Sequence, residues 1–130
     1  MRILIADDNR DAADTLAMVL RFWGHEVRAV YDGRGALLTA RSFKPHAALL
    51  DIQMPHLNGG DVALDLRKHS EGTFIIALTA NDPDDPRLAR YDGAFDAFVS
   101  KPCDLDHLAE LLARRRSGST IRRQQLSTSS

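Results

Sequence analysis

The chain predicts an α/β fold, a doubly wound five-stranded parallel sheet in strand order 2-1-3-4-5 with helices on both faces. Three features lead there. Five short apolar runs, Ile3 to Ala6, Val27 to Tyr31, Ala47 to Leu50, Phe74 to Leu78 and Phe95 to Val99, are separated by segments with apolar residues at helical spacing. Repeated βα units of this length demand parallel strands joined by right-handed crossovers. Most of the runs are apolar at consecutive positions, as strands covered on both faces are. Lastly, the runs stop at residues that carry chemistry: Asp7 and Asp8, Asp51, Thr79 and Lys101. In an open parallel sheet, ligands bind outside the strand carboxyl ends where the strand order reverses, here between strands 1 and 3.

Each element has its own local reasons. The first strand, Arg2 to Ala6, runs into a helix that Asn9 caps, whose positive N-terminal end suits Asp11 and Asp14. Ala12, Ala13, Leu16, Val19, Leu20 and Trp23 form its apolar face, and Gly24 suits the C′ position. Val27, Ala29 and Tyr31 alternate in a second strand ending at the turn Asp32-Gly33. The second helix carries Ala36, Leu37, Leu38 and Ala40 until Lys44-Pro45 stops it. The third strand ends at Asp51, around which the other segments are organised. After the loop Asn58-Gly59-Gly60, a third helix carries Val62, Ala63, Leu64 and Leu66, and Gly72 separates it from the fourth strand, Thr73 to Thr79. Pro83 and Pro86 restrict residues 81–92 to a short fourth α-helix starting near Asp84 or Asp85. Phe95, Ala97, Phe98 and Val99 supply the fifth strand, and Asp104 caps a last helix carrying Leu105, Leu108, Leu111 and Leu112. Trp23 and Met54 read as packing residues.

With 130 residues, 44% of them hydrophobic and 27% charged, the sequence suits one soluble domain. That domain is expected over residues 1–114, followed by a disordered basic tail over 115–130 with almost nothing apolar to bury. The net charge of −1 conceals an asymmetry: five of the 17 basic residues, Arg114, Arg115, Arg116, Arg122 and Arg123, lie in a stretch without acids. The acidic body that remains argues against direct nucleic-acid binding. The tail reads first as a linker or solubilising end, with an electrostatic tether as the sharper alternative. No apolar run approaches the roughly 20 residues that cross a bilayer, and no signal-peptide pattern is visible, so a cytoplasmic protein without membrane contact is expected. Cys103, the only cysteine, fits a reducing compartment. Its place at a helix start is one where a thiol pKa is lowered, although a small residue without a redox role is the plainer reading. His25, His46, His56, His69 and His107 show no metal-ligand spacing.

Three carboxylates converging at strand ends repel one another and need a cation. An all-oxygen set with room for water and phosphate oxygens suits Mg²⁺, with Mn²⁺ as the alternative. Lys101 adds a fixed positive charge opposite the acids, and Thr79 adds a hydroxyl. A phosphoryl group on Asp51 would find the metal, an ammonium and a hydroxyl around it, the positioned charges that phosphoryl transfer requires.

The ordered set Asp7-Asp8, Asp51 with Met54-Pro55 and Gly59, Thr79-Ala80, and Lys101-Pro102 resembles the receiver domain of bacterial two-component response regulators, which have a flavodoxin-like fold. The resemblance covers residues 2–114. It implies that Asp51 accepts a phosphoryl group from the histidine of a kinase or a histidine phosphotransfer protein. It also implies that Asp8 binds Mg²⁺ directly, Asp7 largely through water, and Gln53 through its backbone carbonyl. Lys101 would pair with the phosphoryl group, Thr79 would hydrogen-bond it, and Ala80 would leave it room. Phe98 matches the family's switch aromatic, turning inward as Thr79 moves, so that the surface of the fourth helical segment, fifth strand and last helix changes for an unidentified output protein. A cis Lys101-Pro102 bond is expected, with Gln53 and Asn81 tuning dephosphorylation. The domain would be a signalling phosphoacceptor that assists its own phosphorylation and dephosphorylation, a monomer or a phosphorylation-dependent dimer. Met1 beside the first strand suits a free-standing regulator, and the run from Asn9 to Asp14 resembles receivers of hybrid histidine kinases.

Two rivals share the architecture. A phosphohydrolase of the haloacid dehalogenase type places a second acid two residues after its nucleophile, where this chain has Gln53. A flavodoxin-like cofactor module would bring a flavin phosphate against Asp7 and Asp8, which repel it.

Overall fold

The expected topology is realised in the computed structural model, which describes residues 1–54, 57–70, 72–80, 86–91 and 93–116. The elements run β1 (Arg2–Ala6), α1 (Arg10–Phe22), β2 (Glu26–Val30), α2 (Gly33–Phe43), β3 (Ala47–Asp51), α3 (Gly59–His69), β4 (Phe74–Thr79), a 3₁₀ helix (Pro86–Tyr91), β5 (Ala97–Ser100) and α4 (Leu105–Arg116). All strand pairs are parallel, in the order β2-β1-β3-β4-β5. Among the described residues, no helix is long and apolar enough to cross a membrane.

Alternation of side chains along the strands divides the core in two. On one face Ile3, Ile5, Leu49, Ile76, Leu78 and Val99 pack with α1 and α4, through residues such as Leu16, Leu20, Leu108 and Leu112. On the other, Leu4, Leu50 and Ile75 meet α2 and α3 through Ala36, Ala40, Val62 and Leu66, with Tyr91 of the 3₁₀ helix beside them. The central strands β1, β3 and β4 are covered on both faces, and their consecutive apolar residues were the signal of this.

Asn9 and Asp104 cap their helices as expected, and Asp32 and Asn58, read from sequence only as turn and loop residues, do the same. Asn9 Oδ1 accepts from the Ala12 amide at 3.1 Å, and the chain leaves α1 through Trp23 to Gly24 at φ +96°. Asp32 and Asn58 accept from the amides of Gly35 and Asp61 at 2.6 and 2.9 Å. Asp104 accepts from His107 at 3.1 Å. Such caps are each worth about 1 kcal/mol.

Four details differ from expectation. The fourth helical segment is a 3₁₀ helix rather than a short α-helix, and its expected start near Asp84 or Asp85 lies outside the described residues, as do Pro83 and Asn81. Phe95 precedes β5 and does not belong to it. Trp23 is 37% exposed at the α1 C-cap, while Met54 is buried as expected. The last helix continues through Arg116, two residues past the expected end of the body at residue 114. Arg115, assigned to the tail from sequence, donates to the carbonyls of Gly72 and His46 at 3.1 and 3.3 Å.

Candidate functional site

Sheet register brings the chemistry together. Ala6 pairs with Leu50, so the next residues, Asp7 and Asp51, emerge side by side at the ends of β1 and β3. Asp51 pairs with Leu78, putting Thr79 one rung further on, and Thr79 pairs with Ser100, putting Lys101 just beyond. The Lys101 amide donates to the Thr79 carbonyl at 2.9 Å, and the Lys101-Pro102 bond is cis.

Asp7 and Asp51 are buried and held in the same way. One oxygen of each accepts from the amide two residues later, Asp7 from Asn9 at 3.0 Å and Asp51 from Gln53 at 3.1 Å. The other oxygen of each meets the Lys101 ammonium, at 2.9 Å for Asp7 and 3.2 Å for Asp51. Asp8 is exposed, and a carboxylate oxygen from each of Asp7, Asp8 and Asp51 lies within 4.8 Å of the others. Such an all-oxygen group fits a hard divalent cation. Thr79 is buried, and Ala80 is exposed.

The electrostatics follow from crowding. Burial, a hydrogen bond with Asp7 and the Asp7 charge push Asp51 up to about 6, against the opposing Gln53 amide and Lys101. Partial burial pulls Lys101 down, yet its hydrogen bonds and ion pairs with Asp7 and Asp51 outweigh this and raise it, so the ammonium stays charged. Burial and the neighbouring Asp104 push the Cys103 thiol up to about 11, the opposite direction from the lowering considered for a helix start, in keeping with the plainer reading of a residue without a redox role.

Closure of the loop after Asp51 depends on Gly59. A Cβ there would overlap the Asp51 carbonyl oxygen, and the Gly59 amide donates to the Ile52 carbonyl at 3.3 Å. Phe98 lies in register with Ala77, on the sheet face shared with Thr79, and its ring is 5.6 Å from that of Phe95. A groove of about 420 Å³ opens beside Asp7 and Lys101 and runs between α1 and α4 past Ala12, Val19 and Leu105. Pro55, His56 and Asn81 lie outside the described residues. Sequence reasoning missed the Tyr91 contact with the start of α3 and the half-buried Arg67–Asp96 ion pair, in which Arg67 reaches Asp96 at 2.8 Å. The glycine pair at 59 and 60 was the one available hint of the first.

Acids at the ends of β1 and β3, a buried threonine at the end of β4 and a lysine after β5 form the crevice expected of a receiver-class signalling domain. The chain belongs to the response regulator receiver domain family, whose model matches residues 3–113. It is 39% identical over 117 residues to the response regulator MprA of Mycolicibacterium vanbaalenii, an alignment covering 90% of this chain and 49% of that one. To MprA of Mycobacterium tuberculosis it is 38% identical, covering 90% and 50%. The chain thus spans about half the length of these curated relatives. Among solved structures it is similar to the response regulator TrrA of Thermotoga maritima, solved in complex with Mg²⁺-BeF, with a TM-score of 0.77, 31% identity and coverage of 88% and 97%. The CheY-like receiver of Methanospirillum hungatei shares the fold at a TM-score of 0.83, 24% identity and coverage of 93% and 97%.

Proposed function

We propose that this receiver takes a phosphoryl group onto Asp51 from the histidine of a kinase or phosphotransfer protein and thereby changes its affinity for an output partner. The observation that carries this reading is the shared grip of Lys101 on Asp7 and Asp51, beside an acid group able to hold a cation. Asp7, Asp8, Asp51 and the Gln53 carbonyl are the residues that would hold Mg²⁺, whose charge offsets that of the phosphoryl oxygens. The Asp51 oxygen that meets Lys101, Oδ2, forms the P–O bond as the P–N bond to the donor imidazole breaks, and the bonding pair returns to that nitrogen. Lys101 follows the charge from the carboxylate to the phosphoryl oxygens, and Thr79 moves to hydrogen-bond them. Phe98, on the same sheet face, turns into the space that this movement leaves, and the surface around β5 and α4 changes. Differential binding of the phosphoryl group by the two conformations is what shifts the population.

The groove between α1 and α4 suits the donor protein, because it starts at Asp7 and Lys101 and Leu105 on its wall is 39% exposed. Leu105→Asp is therefore expected to slow transfer from a phosphorylated donor protein while leaving the rate with acetyl phosphate unchanged.

The direct test is intact-protein mass after incubation with Mg²⁺ and acetyl phosphate. The expected result is one phosphoryl adduct that is absent without Mg²⁺ and absent in Asp51→Asn. An adduct that persists in the variant, or a wild type that takes none from either acetyl phosphate or a more reactive phosphoramidate, would sink the proposal. Lys101→Ala is expected to bind Mg²⁺ still but to lose the coupling between phosphorylation and Phe98.

A further inference from the structure

Tyr91 joins the 3₁₀ helix to the acceptor loop. Tyr91 is buried, with only 5% of its surface exposed. Its ring lies where a side chain at position 60 would be, because a Cβ on Gly60 would overlap three of the ring carbons. Its hydroxyl oxygen accepts from Asn58 Nδ2 at 3.1 Å. Asn58 is also the N-cap of α3, its Oδ1 accepting from the Asp61 amide at 2.9 Å. Both ends of that amide are thus committed: one starts the helix and the other holds Tyr91. Between Asn58 and Gly60 sits Gly59, whose backbone closes on the Asp51 carbonyl. On its other side the Tyr91 ring meets Phe95 edge-on at 6.5 Å, and Phe95 meets Phe98 at 5.6 Å.

We propose that Tyr91 is a positioning residue for chemistry at Asp51, fixing the Asn58-Gly59-Gly60 start of α3 against the acceptor and tying that loop through Phe95 to Phe98. The inference rests on the proposed phosphorylation of Asp51 and adds a second connection between that site and Phe98, separate from Thr79. A loop that is loose at Gly59 leaves the Asp51 backbone and the neighbouring Gln53 free to drift. Reaction rates respond steeply to such displacement. The aromatic chain makes the coupling reciprocal, since whatever moves Phe98 also presses on Tyr91.

The experiment uses the full chain with Tyr91→Phe, which removes the hydroxyl and keeps the ring, and Asn58→Ser, which keeps a capping oxygen and withdraws the amide nitrogen that reaches Tyr91. Phosphorylation by acetyl phosphate is followed at saturating Mg²⁺, alongside thermal melting and the aromatic NMR resonances of the metal-free protein. Each variant is expected to slow phosphorylation about three- to tenfold, the equivalent of one hydrogen bond. The double variant should be no slower than either single one, as members of one pair behave. Asn58→Asp, whose carboxylate accepts from the Tyr91 hydroxyl and still caps the helix, should restore the rate. The Phe98 ring resonances should shift in Asn58→Ser although the hydrogen bonds of that side chain go to Tyr91 and Asp61. A purely local cap would lower the melting temperature without moving Phe98 or the rate. Wild-type rates in both variants, or additive losses, would overturn the inference while leaving phosphorylation of Asp51 intact. A wild-type chain that takes no phosphoryl group would overturn both.

Discussion

Asp51 is set between a lysine and its own desolvation, and the balance has a measurable sign. Its carboxyl sits at about 6 in the folded chain against 3.8 for an ordinary aspartate, chiefly through burial and then through Asp7. A raised acid holds its proton in the folded state over a range where the unfolded chain has released it. Stability from this group is therefore highest below about pH 4, falls as pH rises toward 6, and stays low above that. Asp51→Asn removes the penalty. In the presence of chelator the variant is expected to be more stable than wild type at pH 7.5 by on the order of 1 to 3 kcal/mol, with the gain gone by pH 4. Thermal or urea melts across that range would read it. A difference that is flat with pH, or favours wild type at pH 7.5, would mean that Lys101 compensates the charge fully. Mg²⁺ should narrow the gap by stabilising the wild type selectively. The residue types of this site were legible because the strand ends announce them, and parallel order makes strand ends neighbours. Their pKa balance was not, because it depends on burial and on which oxygen meets Lys101.

Elements are joined by contacts that local sequence does not encode, and two of these are open to test. Gly59 and Gly72 look alike in the chain, one beside α3 at its start and the other after its end. A Cβ at Gly59 would strike the Asp51 backbone, whereas one at Gly72 meets nothing within 4 Å. Gly59→Ala is expected to cost about 2 to 4 kcal/mol because backbone and not a flexible side chain must give way, while Gly72→Ala should be within about 0.5 kcal/mol of wild type. Chemical denaturation of the two variants would separate them, and equal effects would show that the loop after Asp51 relaxes freely. The second contact ties α3 to the sheet. Arg67 donates to the carbonyls of Thr73 and Ala94 and to Asp96, while Asp96, with its side chain 1% exposed, also accepts from the Ile75 amide at 2.8 Å. Asp96→Ala strands a guanidinium among carbonyls and is expected to cost about 3 to 5 kcal/mol. Helix starts were readable from Asn9 and Asp104, since a cap is a contact over three residues, whereas the caps made by Asp32 and Asn58 were read only as turn and loop residues. The 3₁₀ form of Pro86–Tyr91 was not, because Tyr91 is held by Asn58 and Gly60, some 30 positions away in the chain.

At the scale of the whole molecule, topology was legible because it follows from short-range facts. Each apolar run and each helix identifies itself locally, and handedness leaves few ways to join them. Where the folded body ends was less so, since Arg115 looks like the first residue of a basic, apolar-poor tail. In the fold its guanidinium bridges two loops at the amino-terminal edge of the sheet, donating to His46 before β3 and to Gly72 before β4. The Arg2 side chain works at the same edge, donating to the carbonyls of Phe43 and Lys44 at the end of α2. Arginine suits this edge because the carbonyls at the C-terminal ends of α2 and α3 gather there and favour a cation. The last helix is thereby fastened to the loops that lead into two central strands, and we propose that the folded body extends at least through Arg116. A chain ended after Arg116 is expected to melt with the full-length protein, while one ended after Arg114 should lose about 1 to 2 kcal/mol, two hydrogen bonds from a charged donor at a partly exposed site. Arg115→Ala in the full chain should reproduce that loss, and Arg115→Lys should recover part of it, because an ammonium can meet one carbonyl but lacks the fork that spans both. Equal melting of the chains ended at 114 and 116 would return the boundary to residue 114 and reduce the Arg115 contacts to surface decoration.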